Sequence, residues 1–285
     1  MPALTLIQQP ESAQMATFEG YVRQVFPRAS FAAWMDWGEW NEDYRALALV
    51  ADAEIIANVS LTRMNLHLQG ETVRAWQLGA VGVLPSWRGR GLSRQLMEAA
   101  LTMTSSDPVL LFANAKVRDF YPRFGFAPCT TATFVADHAC DPDDCPAPSL
   151  PAEAPTTREL IHHLAESGVT STGRFGASGY GRTLTWYLAN RWVPDPRQLD
   201  PQTLVFCRTE GDCLVLDDIL AAKPFDLGAG LPRLINAPIR SIRFGFTPEL
   251  WWRQDCKVGT DDDAHLFVRG FAPAAPQRFP VLART

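Results

Sequence analysis

The chain has 285 residues, of which 47% are hydrophobic and 20% are charged, and its formal net charge is -5 at pH 7. This composition is typical of a soluble globular protein, and the length fits one large or two ordinary domains. The negative charge argues against a protein that binds nucleic acid through bulk positive charge. No apolar run approaches the roughly 18 residues of a membrane span, so we expect no membrane association.

The cysteines and the first residues bear on the compartment. The six cysteines contain no Cys-x-x-Cys pair, which excludes a zinc ribbon or a thioredoxin-like redox site. The opening Met-Pro-Ala-Leu-Thr lacks the basic and apolar regions of a secretory signal. We therefore expect a cytoplasmic protein with reduced thiols.

The first 83 residues show alternating strand and helix patterns. They predict a strand at 3–8, a helix near 11–26, a second helix carrying Phe31, Trp34, Met35 and Trp37, and strands near 45–51, 54–67 and 72–83. The turn Gln69-Gly70 joins the last two strands as a hairpin. Within the strand at 54–67 the apolar positions change phase near Arg63, which predicts a bulge or a change of the buried face.

A basic, glycine-rich turn follows these strands. The segment Arg88-Gly89-Arg90-Gly91 leads from an apolar strand directly into a helix pattern that begins at Leu92. The first N–H groups of a helix have no partner within the helix, and the helix dipole favours negative charge there. Glycine allows close approach of the backbone, and arginine adds charge. These features predict a site for a pyrophosphate.

A second motif lies downstream of this turn. Residues 108–113 have the pattern of a short buried strand, and Asn114 follows it directly. A short helix pattern then leads into Tyr121, three intervening residues, Gly125 and Phe126.

The two motifs together resemble the GCN5-related N-acetyltransferase (GNAT) superfamily. Residues 88–93 match the acetyl-CoA loop of that family, R/Q-x-x-G-x-G/A, except that Ser93 stands where the last Gly or Ala is usual. Asn114, Tyr121, Gly125 and Phe126 fall on the second family signature. The resemblance covers roughly residues 1–136.

The resemblance implies the fold, the chemistry and the site. The fold would be α/β, with a mixed, mostly antiparallel sheet flanked by helices. The activity would be acetyl-CoA-dependent transfer to an amine of a small molecule or peptide, with Tyr121 as the acid that protonates the departing thiolate. The expected acetyl-CoA-binding residues are Val81, Gly82, Val83, Arg88, Gly89, Arg90, Gly91, Leu92, Ser93 and Asn114.

The acceptor side is less well defined. Residues 1–60 hold eight acidic residues and three arginines, which would attract a cationic amine, although solvated surface charge is an equally simple explanation. Glu39, Glu42 and Asp43 lie in a turn among aromatic residues and could bind or deprotonate an ammonium group, or form an ordinary surface turn. Gln77 stands where some family members have an acidic base, and a glutamine cannot serve as one.

Three hypotheses about function follow. Residues 1–128 contain no cysteine, so direct attack by the amine is simpler than an acyl-cysteine route. A protein that binds acyl-CoA as a sensor or interaction module, without chemistry, is the alternative. A preference for acyl groups longer than acetyl is the third.

The rest of the chain suggests a second domain. Residues 124–157 contain no Lys or Arg and are rich in Pro and Asp, which predicts a linker at 137–155 between domains at 1–136 and 156–285. The spacing of His138, Cys140 and Cys145 fits no common metal site, so we predict no metal.

The second half has its own helix and strand patterns. Helices are predicted from about residue 156 and at 183–192, and strands at 203–208 and 212–217. The sequence Arg-Phe-Gly-Phe occurs at 123–126 and again at 243–246, after a loop-like segment at 225–230. This echo suggests a degenerate second GNAT-like domain that has lost CoA binding. Trp186, Trp192, Trp251 and Trp252 fit either a core or the interface of a homodimer.

Overall fold

A computed structural model describes residues 3–285. The strands are β1 (Thr5–Gln8), β2 (Tyr44–Ala51), β3 (Glu54–Leu68), β4 (Glu71–Val83), β5 (Val109–Phe112), β6 (Ala127–Cys129), β7 (Ala132–Cys140), β8 (Phe175–Ser178), β9 (Arg197–Asp200), β10 (Thr203–Glu210), β11 (Cys213–Ala221), β12 (Ile239–Phe244), β13 (Lys257–Thr260) and β14 (Leu266–Arg269). The helices are α1 (Met15–Val25), α2 (Ala32–Asp36), α3 (Leu92–Met103), α4 (Pro155–Ser167), α5 (Gly181–Ala189) and α6 (Leu227–Gly230). A 3-10 helix spans Ala115–Phe124. None of the helices within residues 3–285 is long and apolar enough to cross a membrane.

The described strands form two sheets. The first has eight strands in the order β1-β2-β3-β4-β5-β14-β6, and β8 pairs with β3. The second has six strands in the order β13-β7-β12-β11-β10-β9. The predicted mixed, mostly antiparallel sheet is confirmed, since β4 and β5 are its parallel pair and helices cover its faces.

The change of phase near Arg63 is a change of buried face. Val59 and Leu61 belong to the core beneath α1 and α3, whereas Met64 and Leu66 belong to a second core with α4 and α5. Successive side chains of a strand point to opposite faces, so one continuous strand can supply both cores. At its far end β3 pairs with β8 instead of β2.

The two sheets exchange a strand, and we call β7 and β14 the exchanged strands. β7 leaves the first sheet after β6 and pairs with β12 and β13 in the second sheet. β14 comes from the far end of the chain and pairs with β5 and β6 in the first sheet. Each sheet is therefore completed by a strand from the other half.

The second half repeats the strand arrangement of the first. The order β9-β10-β11-β12-β7-β13 matches β2-β3-β4-β5-β14-β6, and β11 and β12 are parallel, as β4 and β5 are. The repeated Arg-Phe-Gly-Phe segments do not occupy equivalent places. The first ends a 3-10 helix after β5, whereas the second ends β12, so the echo was the wrong reason for expecting a second GNAT-like unit.

The domain limits at residues 136 and 155 stay a prediction. β7 runs through residue 136, and β8 and β14 from the 156–285 segment lie in the first sheet. The acidic 137–155 segment follows the surface of the second half, where Ala147 N donates to Arg233 O at 2.8 Å and Leu150 N donates to Pro196 O at 3.0 Å.

The exchange generates a stability prediction. Val268 on β14 is 4% exposed, and Val268→Asp would bury an unpaired charge between β5 and β6. We expect the free energy of unfolding to fall by at least about 3 kcal/mol. The matched control is Val258→Asp on the edge strand β13, where the valine is 53% exposed and the change should stay within about 0.5 kcal/mol. Urea unfolding measures both, and equal effects would contradict a buried central role for β14.

Candidate active site

The candidate site begins where β4 and β5 separate. The two strands pair from Trp76 to Leu78 on β4 and from Val109 to Leu111 on β5, and no pairing between them continues within the described residues. β4 runs on to Val83 paired with β3 alone. The edge of β4 that faced β5 is thereby released, and its backbone N–H and C=O groups become available to a ligand.

A bulge shapes this released edge. Asn58 pairs with Gly82 and Ser60 with Gly79, so β4 has one extra residue there, and Ala80 has a φ of 48°. Such a left-handed conformation is strained for alanine. Asn58 holds the bulge, because its Nδ2 donates to Ala80 O at 3.1 Å and to Ser60 Oγ at 2.9 Å. Sequence analysis missed Asn58, because only the strand register reveals what it supports.

The predicted β4 residues have different roles. Val81 lines a cavity at the separation of the strands. Val83 is only 8% exposed and packs in the core. A Cβ on Gly82 would lie 2.5 Å from Val25 Cγ1 and 2.9 Å from the Tyr21 hydroxyl, so this glycine lets α1 pack on β4.

The basic turn has the geometry expected of an anion loop. Gly89 and Gly91 have φ values of 76° and 78°, which glycine adopts without strain, and nothing lies within 4 Å of a Cβ built on either. Gly91 is the N-cap of α3 and provides no side-chain cap, so the first N–H groups of α3 remain available. Leu92 is buried and anchors the helix, while Ser93 is half-buried in its first turn.

The two arginines of the turn are exposed and held at their bases. Arg88 Nε donates to Val83 O at 3.2 Å, and Arg90 Nη2 donates to Ser86 O at 3.2 Å. The Arg90 guanidinium also lies over the Trp87 ring, 4.6 Å from its centroid. These contacts hold positive charge beside the start of α3.

Asn114 and Tyr121 lie on the opposite wall of the same cavity. Asn114 caps the 3-10 helix, since its Oδ1 accepts from Lys116 N at 3.0 Å. Tyr121 is 5% exposed among Phe120, Phe126 and Phe267, and it still lines the cavity. Burial raises the pKa of Tyr121 to about 12, so its hydroxyl keeps its proton at neutral pH.

Gln77 has a structural contact that the sequence did not suggest. It is fully buried, its Nε2 donates to Ala283 O at 2.7 Å, and its Oε1 accepts from Thr285 N at 2.9 Å. The Thr285 hydroxyl donates to Leu78 O at 3.3 Å, and Thr285 lines the cavity. A Cβ on Gly79 would lie 2.6 Å from that hydroxyl, so the glycine gives this segment room.

The acidic turn near residue 40 is internally paired. Glu39 is 4% exposed, and its carboxylate lies 2.7 Å from His162 Nε2 and 3.3 Å from Arg182 Nη1. Asp43 pairs with Arg63 at 2.5 Å and with Arg182 at 3.4 Å. These carboxylates join the two halves of the chain and are not among the residues that line the cavity.

The cavity has a volume of about 570 Å³, and the second half of the chain supplies part of its wall. Arg182, Thr183, Trp186 and Tyr187 of α5, together with Trp192, line it. Trp251 and Trp252 are buried in the core of the second sheet. The α5 wall was missed because its residues meet the first half only through tertiary packing.

Two further kinds of site were considered, a metal site and a second phosphate-binding loop at 225–230. Within residues 3–285, no group of three His, Cys, Asp or Glu side chains could hold a metal ion. The segment at 225–230 also lacks the loop geometry, because the Asp226 carboxylate itself accepts from Ala229 N at 3.3 Å at the start of α6.

Comparison with known proteins identifies the first half of the chain. Residues 6–129 match the family model described as an acetyltransferase (GNAT) domain. The N-terminal half belongs to the GNAT superfamily. This match identifies the first half of the chain as an acetyltransferase domain. A search among curated proteins found no significant match.

Solved structures resemble the fold of almost the whole chain. Eis1 from Mycobacterium abscessus aligns with a TM-score of 0.58 and 18% identity over 93% of this chain and 73% of that one. A probable N-acyltransferase from Enterococcus faecalis aligns with a TM-score of 0.58 and 13% identity over 94% and 72%. A GCN5-related N-acetyltransferase from Kribbella flavida aligns with a TM-score of 0.55 and 14% identity, over 94% and 72%. These structures share the fold of both halves of the chain.

The loop geometry predicts the effect of removing its charge. Arg88→Ala combined with Arg90→Ala should weaken CoA binding by about 10- to 100-fold, because each arginine can make charge-assisted hydrogen bonds to phosphate. Calorimetric titration with CoA measures the affinity. Arg240→Ala combined with Arg253→Ala removes the same charge from exposed positions of the second half and should leave the affinity unchanged. An equal loss in both double variants would indicate a bulk charge effect.

Proposed function

We propose that the protein transfers the acetyl group of acetyl-CoA directly to an amine of a small molecule or peptide. The observation that carries this proposal is the shared cavity: Val81 on the released edge of β4 and Tyr121, whose hydroxyl keeps its proton, line one space. The basic turn lies where β4 leads into α3. The GNAT match of residues 6–129 agrees with this chemistry.

The residues of the turn fit the pyrophosphate of CoA. Two glycines with positive φ and open surroundings, an uncapped start of α3 and two exposed arginines together supply N–H donors and positive charge. The released edge of β4 near Val81 would bond the extended pantetheine arm, because it presents backbone groups without a strand partner. The Asn114 amide would act mainly as the cap that fixes the opposite wall.

The transfer needs a group that assists the departing sulfur. Acetyl-CoA supplies an acetyl group on a thioester, the acceptor nitrogen bonds to the acetyl carbon, and the carbon–sulfur bond breaks. Tyr121 would donate its hydroxyl proton in a hydrogen bond to the sulfur. Its pKa of about 12 exceeds the reference value of about 8.5 for a thiol, so stabilisation by the hydrogen bond is favoured over complete proton transfer.

Direct attack agrees with the lining of the cavity. Among the described lining residues there is no cysteine for an acyl-enzyme and no Asp or Glu side chain for a carboxylate base. The side-chain amide of Gln77 is hydrogen-bonded at both its nitrogen and its oxygen to the 283–285 segment. The acceptor amine would therefore not lose its proton to an acidic side chain of this lining.

A non-catalytic acyl-CoA sensor is the alternative function, and the missing carboxylate base favours it. Binding of acetyl-CoA without release of free CoA in the presence of any amine would support that alternative. A preference for longer acyl groups would give tighter binding of longer acyl-CoA thioesters. We also propose a cytoplasmic location, with which the six free cysteines are consistent.

The role of Tyr121 is tested by removing its hydroxyl. Tyr121→Phe should lower kcat by on the order of 100-fold or more, because the hydrogen bond to the negative charge that develops on the sulfur is lost, while the Kd for acetyl-CoA stays unchanged. Release of CoA measures kcat, and calorimetry measures Kd. Tyr187→Phe is the matched control, because Tyr187 lines the same cavity and should keep near-normal turnover. Unchanged turnover in Tyr121→Phe would remove this residue from the reaction.

The pH profile tests the absence of a protein base. We expect kcat/KM to rise with pH until the acceptor amine is neutral. At pH values up to about 11 the profile should show no decline, because Tyr121 has a pKa of about 12 and keeps its proton there. With two acceptors whose amine pKa values differ by about two units, the midpoint of the rise should shift by the same amount. A midpoint that is the same for both acceptors would reveal a base on the protein.

A further inference from the structure

The acceptor end of the cavity is walled by aromatic rings from both halves of the chain. Phe26, Phe31 and Trp34 come from the segment around α2, whereas Trp186 and Trp192 come from α5 and the turn after it. The Trp186 and Trp192 ring centroids lie 4.7 Å apart at an interplanar angle of 79°, and those of Phe31 and Trp186 lie 5.8 Å apart. Trp186 therefore contacts Trp192 edge-to-face and Phe31 at a tilt, which connects rings from the two halves of the chain.

Two contacts hold this wall together. Ser30 N donates to Asn190 Oδ1 at 2.8 Å, and Asn190 Nδ2 donates back to Ser30 O at 3.0 Å. Trp34 Nε1 donates to Arg182 O at 3.0 Å. The aromatic rings are therefore held in position before a ligand arrives, which lowers the entropy that binding must overcome.

The cavity is unsuited to a polycation. Its charged lining residues are Arg28 and Arg182, and none of the lining residues in the described chain is acidic. Glu39 and Asp43, which the sequence suggested for an ammonium group, are paired with His162, Arg63 and Arg182. A second positive charge on an acceptor would find no acidic side chain among the lining residues that the structure describes.

Apolar surface and unpaired hydroxyl groups both point to a ligand here. Trp192 is 42% exposed and Val117 is 44% exposed, and these two exposed large apolar side chains line the same cavity. Thr62 and Thr183 are 3% and 4% exposed, and their hydroxyl oxygens have no hydrogen-bond partner among residues 3–285. Both threonines line the cavity, where an amine N–H could donate to them.

We propose that the acceptor is an arylalkylamine, a single amine carried on an aromatic ring. The ring packs against Trp186 and Trp192, and the amine is directed past the threonine hydroxyls toward the released edge of β4. This proposal rests on the proposed transfer to an amine and defines its substrate class. Edge-to-face contacts favour a ring over an alkyl chain of the same apolar area, by up to about tenfold in affinity for a ring pair.

The test compares three amines at saturating acetyl-CoA. The kcat/KM for 2-phenylethylamine should exceed that for n-hexylamine by about tenfold, because of the ring contacts, and that for 1,5-diaminopentane by about 100-fold, because of its second charge. Equal values, or a preference for the diamine, would overturn the proposal.

A variant at the cavity mouth connects the preference to the rings. Trp192→Ala should raise the KM for 2-phenylethylamine by about tenfold with little change in kcat. Trp192→Phe keeps an aromatic ring, so its KM should stay close to that of the unchanged protein. Neither variant should change the Kd for acetyl-CoA. Leu250→Ala is the control, because Leu250 is 41% exposed and does not line the cavity. A loss of affinity for hexanoyl-CoA in Trp192→Ala would instead mean that the rings hold an acyl chain, and the proposal would fail.

Equilibrium binding separates this proposal from the proposed function. Calorimetry of the CoA-loaded protein should show binding of 2-phenylethylamine, its loss in Trp192→Ala, and no binding of 1,5-diaminopentane. If the arylalkylamine binds in this way but no CoA is released from acetyl-CoA, the transferase proposal fails and the ligand class stands. If CoA is released with other amines and the arylalkylamine does not bind, the ligand class fails and the transferase proposal stands.

Discussion

The exchange of β7 and β14 is the constraint on which the rest of this structure depends. Without β14, β5 would be an apolar edge strand paired with β4 alone, and the wall that carries Asn114 and Tyr121 would lose its support. Without β7, β12 and β13 would have no common neighbour. Because each half completes the sheet of the other, the two halves keep a fixed relation, and a cavity between them can have a definite shape. The same exchange brings α5 against the segment around α2.

The site depends on two departures from regular sheet geometry. The separation of β4 from β5 releases a backbone edge, and the bulge at Ala80 lies within that edge, where Ala80 lines the cavity. Both need support from elsewhere: Asn58 holds the bulge, and the buried Gln77 fixes the 283–285 segment beside Gly79. On the acceptor side, the ion pairs of Glu39 and Asp43 neutralise Arg182 and leave an aromatic surface. The apolar character of the cavity is thus a consequence of how its nearest charges are paired.

Local signals in the sequence were sufficient to predict the conformation of the turn and the short helix that carries Tyr121. Gly89 and Gly91 are needed for positive φ, and the spacing from Asn114 to Gly125 encodes a capped helix with a left-handed end, so both motifs can be read without tertiary information. The phase change near Arg63 also correctly indicated a change of face. Long-range features had no such signal. β14 is a four-residue strand whose partners lie more than 100 residues away, and nothing in its composition names them. The role of Glu39 was ambiguous because its partners, His162 and Arg182, come from the other half.

The positions of the exchanged strands along the chain also affect when each sheet can form during biosynthesis. A ribosome releases β5 and β6 early, but the strand that belongs between them ends at Arg269, near the far end of the chain. β7 is likewise made long before β12 and β13, its partners. Neither sheet can close during synthesis of the first half, and the apolar edge of β5 must wait for almost the entire chain. Folding is therefore dominated by distant contacts, and one edge of the apolar β5 stays exposed until β14 has been made.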